Sequence, residues 1–186
     1  MALASLVDTR RVVTLQTARL TLRPFEAGDM QAVLAYRNDP AVSRLQGWPL
    51  PFTEADFTRL LDTKGSPTEA GWVSWCICAA TNVIGDIGLR RHDEAEVGIS
   101  LAAGAQSKGY ASEALAGLSA YAFGELGAQR LHAGVDPANA PVIRLLTRAG
   151  WQHESTAVGA YWHRDHWADD AIYALSRTAW EQRPTP

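Results

Sequence analysis

Cysteine is scarce. The 186 residues hold two, Cys76 and Cys78, too few for a disulfide framework and placed two apart, so that a strand would put them on one face. That usage suits a reducing interior better than secretion. No run of about 18 apolar residues exists that could cross a bilayer as a helix. Positive charge is not in surplus either. A net charge of −3 excludes the broad basic field of a general nucleic-acid or anionic-membrane binder, while leaving room for a local basic patch. The opening MALASLVDTRR lacks a charged n-region ahead of an apolar stretch, so no signal peptide is expected and the compartment expected is the cytoplasm. His163 and His166, taken with Cys76 and Cys78, fit no standard zinc spacing, and no metal is expected. Repeats, low-complexity blocks and interdomain linkers are absent as well. With 47% hydrophobic and 20% charged residues, what is left is an ordinary one-domain composition, long enough to bury a core.

The first dozen residues read as a loose arm or an extra strand. RLTLRPF at 19–25 alternates Leu20 and Leu22 with polar neighbours, a half-buried strand. Asp29 can cap a helix carrying Met30, Val33 and Leu34, which Asn38, Asp39 and Pro40 stop. Thr53 opens a second helix with Phe57, Leu60 and Leu61 inward, and Gly65, Ser66 and Pro67 mark a loop. Three β-rich segments follow, at 71–80, 83–91 and 95–101, joined by the turns TN and HDEA as a meander. A helix runs from about Tyr110 to Leu126, with Gly127 ending it. QRLHAGVD at 129–136 is a short strand. PVIRLLTRAG at 141–150 is a helix with proline in its first turn and glycine past its end. An antiparallel pair finishes the chain. The expected fold is α/β (α+β): one mixed sheet of about seven strands flanked by about four helices, ordered β-α-α-β-β-β-α-β-α-β-β. The domain expected spans 15–180, with an N-terminal arm at 1–14 and a tail at 181–186.

The strand at 95–101, the helix after it and the strand at 129–136 form a β-α-β unit, so these two strands should be parallel. Ligands of such sheets bind outside the carboxyl ends of strands. QSKGYASEAL, at 106–115, lies there, at a helix start. Free N–H groups and the helix dipole favour an anion at that place. Gly109 lets a ligand approach the backbone, Ala111 is small, Lys108 is a point charge, and Ser107 and Ser112 offer hydroxyls. The same residues also read as a relaxed turn with a solvated lysine.

The segment QSKGYA matches Gln/Arg-x-x-Gly-x-Gly/Ala, and the chain around it resembles the GNAT superfamily of N-acetyltransferases, in its RimJ/RimL-like branch. TARLTLRP at 17–24, VIGDIGL, EVGISL, KGYASEAL, NAPVIRLLTRAGW at 139–151 and the closing IYALSRTAW occur in the order of that branch, over about residues 15–180. The resemblance implies acetyl-CoA as co-substrate and a primary amine as acceptor, either a peptide or protein N-terminus or a small molecule. It implies coenzyme contacts from Ile99, Ser100, Leu101, Gln106, Ser107, Lys108, Gly109, Tyr110, Ala111, Ser112, Asn139 and Arg144. Asn139 also reads as a helix cap and Arg144 as a surface residue. No direct nucleic-acid or membrane partner is expected, and a homodimer is compatible with the resemblance.

An amine attacks only when neutral, and a peptide α-amine, with a pKa of about 8 against about 10.4 for lysine, needs less help. A base must lie within reach, directly or through water. Alternation puts Glu96, Gly98 and Ser100 on one face of their strand, and His132, Gly134 and Asp136 on one face of the next. Glu96 is the first choice for base and His132 the second, against plain readings as a strand-end carboxylate and a packed imidazole. Two positions depart from the family pattern: Leu146 stands where many GNAT enzymes carry a tyrosine acid, and Val142 where the branch often has serine. A thiol of pKa about 8.5 is a tolerable leaving group without a dedicated acid. Of seven tryptophans, most should be core; Trp48, Trp75 and Trp162 are the expected acceptor-side aromatics, with Trp72 and Trp167 in flanking segments. Asp165, Asp169 and Asp170 would make a weakly acidic rim for a cationic amine. The competing reading is an acyl-CoA-binding sensor or interaction module on the same scaffold, kept alive by Val142 and Leu146. A nucleotide-phosphate binder would need the dinucleotide glycine pattern, which is missing.

Overall fold

The computed structural model describes residues 12–62, 71–91 and 94–183. Most of the expected arm, the loop at Gly65, Ser66 and Pro67, His92 and Asp93 of the HDEA turn, and the last three residues of the tail lie outside them. The strands are β1 (Leu15–Gln16), β2 (Leu20–Arg23), β3 (Gly71–Ala79), β4 (Asn82–Arg91), β5 (Ala95–Leu101), β6 (Arg130–Val135), β7 (Gln152–His163) and β8 (His166–Ser176). The helices are α1 (Met30–Asn38), α2 (Pro40–Ser43), α3 (Glu54–Asp62), α4 (Tyr110–Gly124), α5 (Ala140–Arg148) and α6 (Arg177–Glu181). One open sheet runs β1-β2-β3-β4-β5-β6-β8-β7, with every neighbouring pair antiparallel except β5–β6.

The mixed sheet and the element order are those expected. The eighth strand is the short β1, at the first two residues of the expected domain. The additional helices are single turns with readable causes. Asn38, Asp39 and Pro40 stop α1 as expected, and Pro40 then starts α2, because its missing N–H is no loss at a first helical position and Asp39 Oδ1 accepts the Ala41 N–H at 2.9 Å. Ser176 ends β8 and caps α6. Asp29 stands at the start of α1, but its carboxylate turns inward. Arg23 holds it with both guanidinium nitrogens, at 2.7 and 2.8 Å, and the Glu26 N–H donates to it at 2.8 Å.

Two cores form because the sheet is covered differently on its two faces. Leu22, Val73, Trp75, Ile77, Ile87, Leu89 and Leu131 meet Leu115, Leu118 and Phe123 of α4, and Leu146 of α5. On the opposite face a smaller cluster of Val33, Tyr36, Val42, Phe52 and Phe57 belongs to α1, α2 and α3 with their connection. A buried polar knot fastens α1 to the sheet there. Tyr36 Oη donates to Asp86 Oδ1 at 2.5 Å and Arg37 Nη2 to Asp86 Oδ2 at 2.8 Å. The Arg37 guanidinium lies 4.6 Å from the ring centre of Trp48 and 4.7 Å from that of Phe52. Burial, and then the charge of Asp86, holds the Tyr36 hydroxyl well above the ordinary phenol range, so it stays neutral and donates.

The parallel pair decides where a ligand can sit. β5 and β6 are joined at Ala95↔Leu131 and Glu96↔His132 and at no later register, although both strands continue. Their carboxyl ends therefore part.

Candidate active site

The parted ends open into a cleft of about 470 Å³. Its walls come from Ile99, Ser100 and Leu101 of β5, from Gln106, Ser107, Gly109, Ala111 and Ser112 at the start of α4, and from Asn139, Val142 and Arg144 of the α5 region. Most of the residues expected to meet a coenzyme thus line one space. Gly109 is the N-cap of α4 with φ +81°, a left-handed conformation that only glycine adopts without strain. Gln106 is anchored by Nε2 donating to the Leu101 carbonyl at 3.1 Å. Asn139 caps α5, its Oδ1 accepting the Val142 N–H at 3.4 Å. Lys108 and Tyr110 are not among the walls: the Lys108 carbonyl and the Tyr110 ring are both turned to Arg19. Arg44 and Arg148, which the sequence had not singled out, join Arg144 around the cleft and make its rim basic in a chain that is acidic overall.

A clamp from the other end of the chain fixes the helix start. Glu113 Oε1 accepts from the Thr17 hydroxyl and from the Arg19 N–H, both at 2.6 Å, and Oε2 from Arg19 Nε at 2.7 Å. Arg19 Nη1 then donates to the Lys108 carbonyl at 3.0 Å, with the guanidinium 4.8 Å from the centre of the Tyr110 ring. This is the physical content of the T-x-R pattern at 17–19. Burial opposes ionisation of Glu113, but the bonds from Thr17 and Arg19 outweigh it and lower its pKa. A carboxylate lowered in the folded state contributes stability above its unfolded pKa and loses it as pH falls through the folded value. Coenzyme affinity should accordingly weaken as pH falls below the ordinary glutamate range, and Glu113→Gln should flatten that dependence in a titration of coenzyme binding.

The other side of the parted strands is an uncovered sheet face. The registers set Trp72, Arg90, Glu96 and His132 in one row across four strands. The next row is Ser74, Gly88, Gly98, and beyond the last β5–β6 pair Gly134. Trp72 is 39% exposed and lies over the two glycines. A Cβ on Gly88 would come 3.1 Å from the indole, and one on Gly98 3.3 Å. Arg90 is ion-paired with Glu96, and its guanidinium carbon is 5.4 Å from the centre of the Trp72 ring. His132 Nδ1 is buried without a hydrogen-bond partner among the described residues, 3.7 Å from Glu94 Oε2. Ser100, which lines the cleft, shares its face of β5 with Glu96, so cleft and open face meet at the parting.

Trp75 requires correction. It is fully buried on the α4 side, edge-to-face with Tyr121 at 6.0 Å, and its indole N–H donates to the Val13 carbonyl at 2.8 Å. Alternation explains the error: Trp72 and Trp75 are an odd number apart and point to opposite faces, and Trp72 is the one facing outward. Trp48 packs into the second core and donates to the Arg37 carbonyl at 3.1 Å. Trp162 stands 57% exposed near the tip of the β7–β8 hairpin, edge-to-face with Trp167 at 5.7 Å. His163 Nε2 lies 3.1 Å from the Arg44 carbonyl. Among the described residues no three His, Cys, Asp or Glu side chains are grouped to hold a metal ion, and no helix is long and apolar enough to cross a membrane. Of the two departures, Leu146 is withdrawn into the core while Val142 lines the cleft.

The sequence model of the family described as "Acetyltransferase (GNAT) domain" matches residues 19–152. The chain belongs to the GNAT acetyltransferase family. Its relatives include "Uncharacterized N-acetyltransferase p20" of Bacillus licheniformis, 34% identical over 149 residues covering 76% of this chain and 83% of the relative. "Uncharacterized N-acetyltransferase YnaD" of Bacillus subtilis (strain 168) is 30% identical over 171 residues, 88% of this chain and 97% of that one. Among solved structures, a GNAT-family acetyltransferase from Bacillus anthracis aligns with TM-score 0.77 and 25% identity, over 89% of this chain and 99% of its own. RimJ of Mycobacterium smegmatis, solved with CoA-disulfide, shares the fold with TM-score 0.76 and 19% identity, over 93% and 90% of the two chains. The protein is thus an N-acetyltransferase of the GNAT family by descent, with the RimJ-like architecture its sequence resembles.

Proposed function

We propose that this N-acetyltransferase uses acetyl-CoA and acetylates a primary amine, either a peptide N-terminus or a small-molecule amine. The observation that carries the reading is the cleft itself. It joins an anion seat at Gly109 to the parting of β5 and β6, where it meets a face bearing Glu96 and His132. The residues suit the coenzyme. The left-handed Gly109, the free N–H groups of α4 and the rim arginines match a pyrophosphate, and the exposed β5 edge offers backbone groups to an amide-bearing arm. When bound, acetyl-CoA supplies an activated acetyl group. The chain's part is to orient the amine, remove its proton and keep the two substrates aligned. Trp72 offers an aromatic wall for the acceptor; Trp72→Ala is expected to raise the acceptor KM about tenfold with coenzyme affinity unchanged. Steady-state kinetics checks this.

The sensor reading draws on Val142, which places an inert side chain in the cleft. The two readings part on turnover, measured as thiol release from acetyl-CoA with a panel of amines and free-N-terminal peptides. Binding of coenzyme with no release for any acceptor would establish the sensor.

A further inference from the structure

The strand after the cleft carries a carboxylate that no part of this reading yet uses. Asp170 lies on β8, beside β6, and the register Gly134↔Ile172 puts it on the same face as Gly134, one step past the last β5–β6 pair. Its carboxylate rests against the Gly134 backbone. A Cβ built on Gly134 would stand 2.7 Å from Oδ1 and 3.0 Å from Oδ2. The glycine in HAGVD is therefore a cradle for this carboxylate.

We propose that Asp170 is the group that takes the proton from the acceptor amine, and that Glu96 acts through its fixed charge on Asp170. The inference rests on the acetyl-transfer reading above. Glu96 is ion-paired with Arg90, so its carboxylate is already engaged by a guanidinium. Asp170 is different. Burial and then the negative charge of Glu96 push its pKa above the ordinary aspartate value, against the opposing effects of the Val135 N–H and His132. The groups that face it are Glu96 of β5 with its partner Arg90, His132 of β6 with Glu94 beside it, Asp136 after β6, and Tyr161 of β7. Burial, then Asp136 and Asp170, keeps the Tyr161 hydroxyl neutral.

The step balances simply. Asp170, directly or through one water, accepts one proton from the ammonium. The freed nitrogen lone pair forms the C–N bond to the acetyl carbon, and the C–S bond breaks with its electron pair on sulfur. The second nitrogen proton ends on that sulfur, and Asp170 returns its proton to solvent.

The test uses the full chain, acetyl-CoA, and the best acceptor from a panel of free-N-terminal tripeptides and putrescine. Asp170→Asn is expected to lower kcat about 100-fold and remove the acid limb of its pH profile, with coenzyme affinity within about twofold by calorimetry. Gly134→Ala, which crowds the carboxylate without deleting it, should lower kcat as well. Glu96→Gln should move the limb to lower pH, since Asp170 then loses a negative neighbour. A readout without turnover comes from 13C-aspartate NMR of the coenzyme-free protein. One carboxyl should titrate above the ordinary aspartate range, vanish in Asp170→Asn and fall in Glu96→Gln. An acid limb retained in Asp170→Asn, or lost in Glu96→Gln alone, overturns the assignment. A wild-type protein that releases no thiol with any acceptor takes down the acetyl-transfer reading, and this assignment with it.

Discussion

Gly109→Glu is expected to abolish coenzyme A binding. Three effects add at one atom. The left-handed φ of +81° costs any other L-residue about 1–2 kcal/mol. A Cβ there would stand 3.2 Å from Arg19 Nη2, on a guanidinium that Glu113 and the Lys108 carbonyl hold in place. The new carboxylate would then occupy the seat that the α4 N-terminus offers to an anion, repelling the pyrophosphate it should receive. Gly109→Ala separates these effects, because it keeps the strain and omits the charge. It should weaken binding by about tenfold, the equivalent of about 1.4 kcal/mol. Calorimetric titration with coenzyme A is the measurement; retained micromolar affinity in Gly109→Glu would falsify the anion seat. Urea unfolding should show both variants folded, since the site is at the rim of the domain.

The largest expected loss of stability comes from Asp86→Ala. Arg37 and Asp86 are about one-tenth exposed at their side chains and 2.8 Å apart, with Tyr36 sharing the carboxylate. Removing Asp86 leaves a guanidinium wedged between Trp48 and Phe52 with its charge unmatched, a change that typically costs about 3–5 kcal/mol. Replacing both partners, as Arg37→Met with Asp86→Leu, should recover most of that loss, because the cost lies in the orphaned charge. Chemical denaturation of the two variants decides it: a single-mutant loss below about 1 kcal/mol would mean that the pair does not hold α1 to the sheet. Asp86 faces Ser100 across β4–β5, and Ser100 lines the cleft, so acetyl transfer should suffer with stability in the single variant.

Much of this site was legible as pattern. The glycine turn at the start of α4 was, because a helix start that needs left-handed backbone has few solutions and glycine is the common one. The parallel pair was, because a crossover long enough to hold a full helix returns the chain to start its next strand in the same sense. The rest was hidden for identifiable reasons. Glu113 is 96 residues from Thr17 and 94 from Arg19 in sequence, and their clamp exists only once β2 lies beside α4. Trp75 and Trp72 are chemically alike, and which of them faces the core depends on which face α4 covers. Gly134 reads as an ordinary strand glycine until Asp170 is seen lying against it.

By itself the sequence determined the order of elements, the family and the glycine turn that starts α4, because periodicity, turn chemistry and helix capping act over a few residues. Tertiary structure decided which carboxylates share the open sheet face and which of them carries an arginine. That difference arises from burial and from charges brought together by strand register, and register is a property of the assembled sheet.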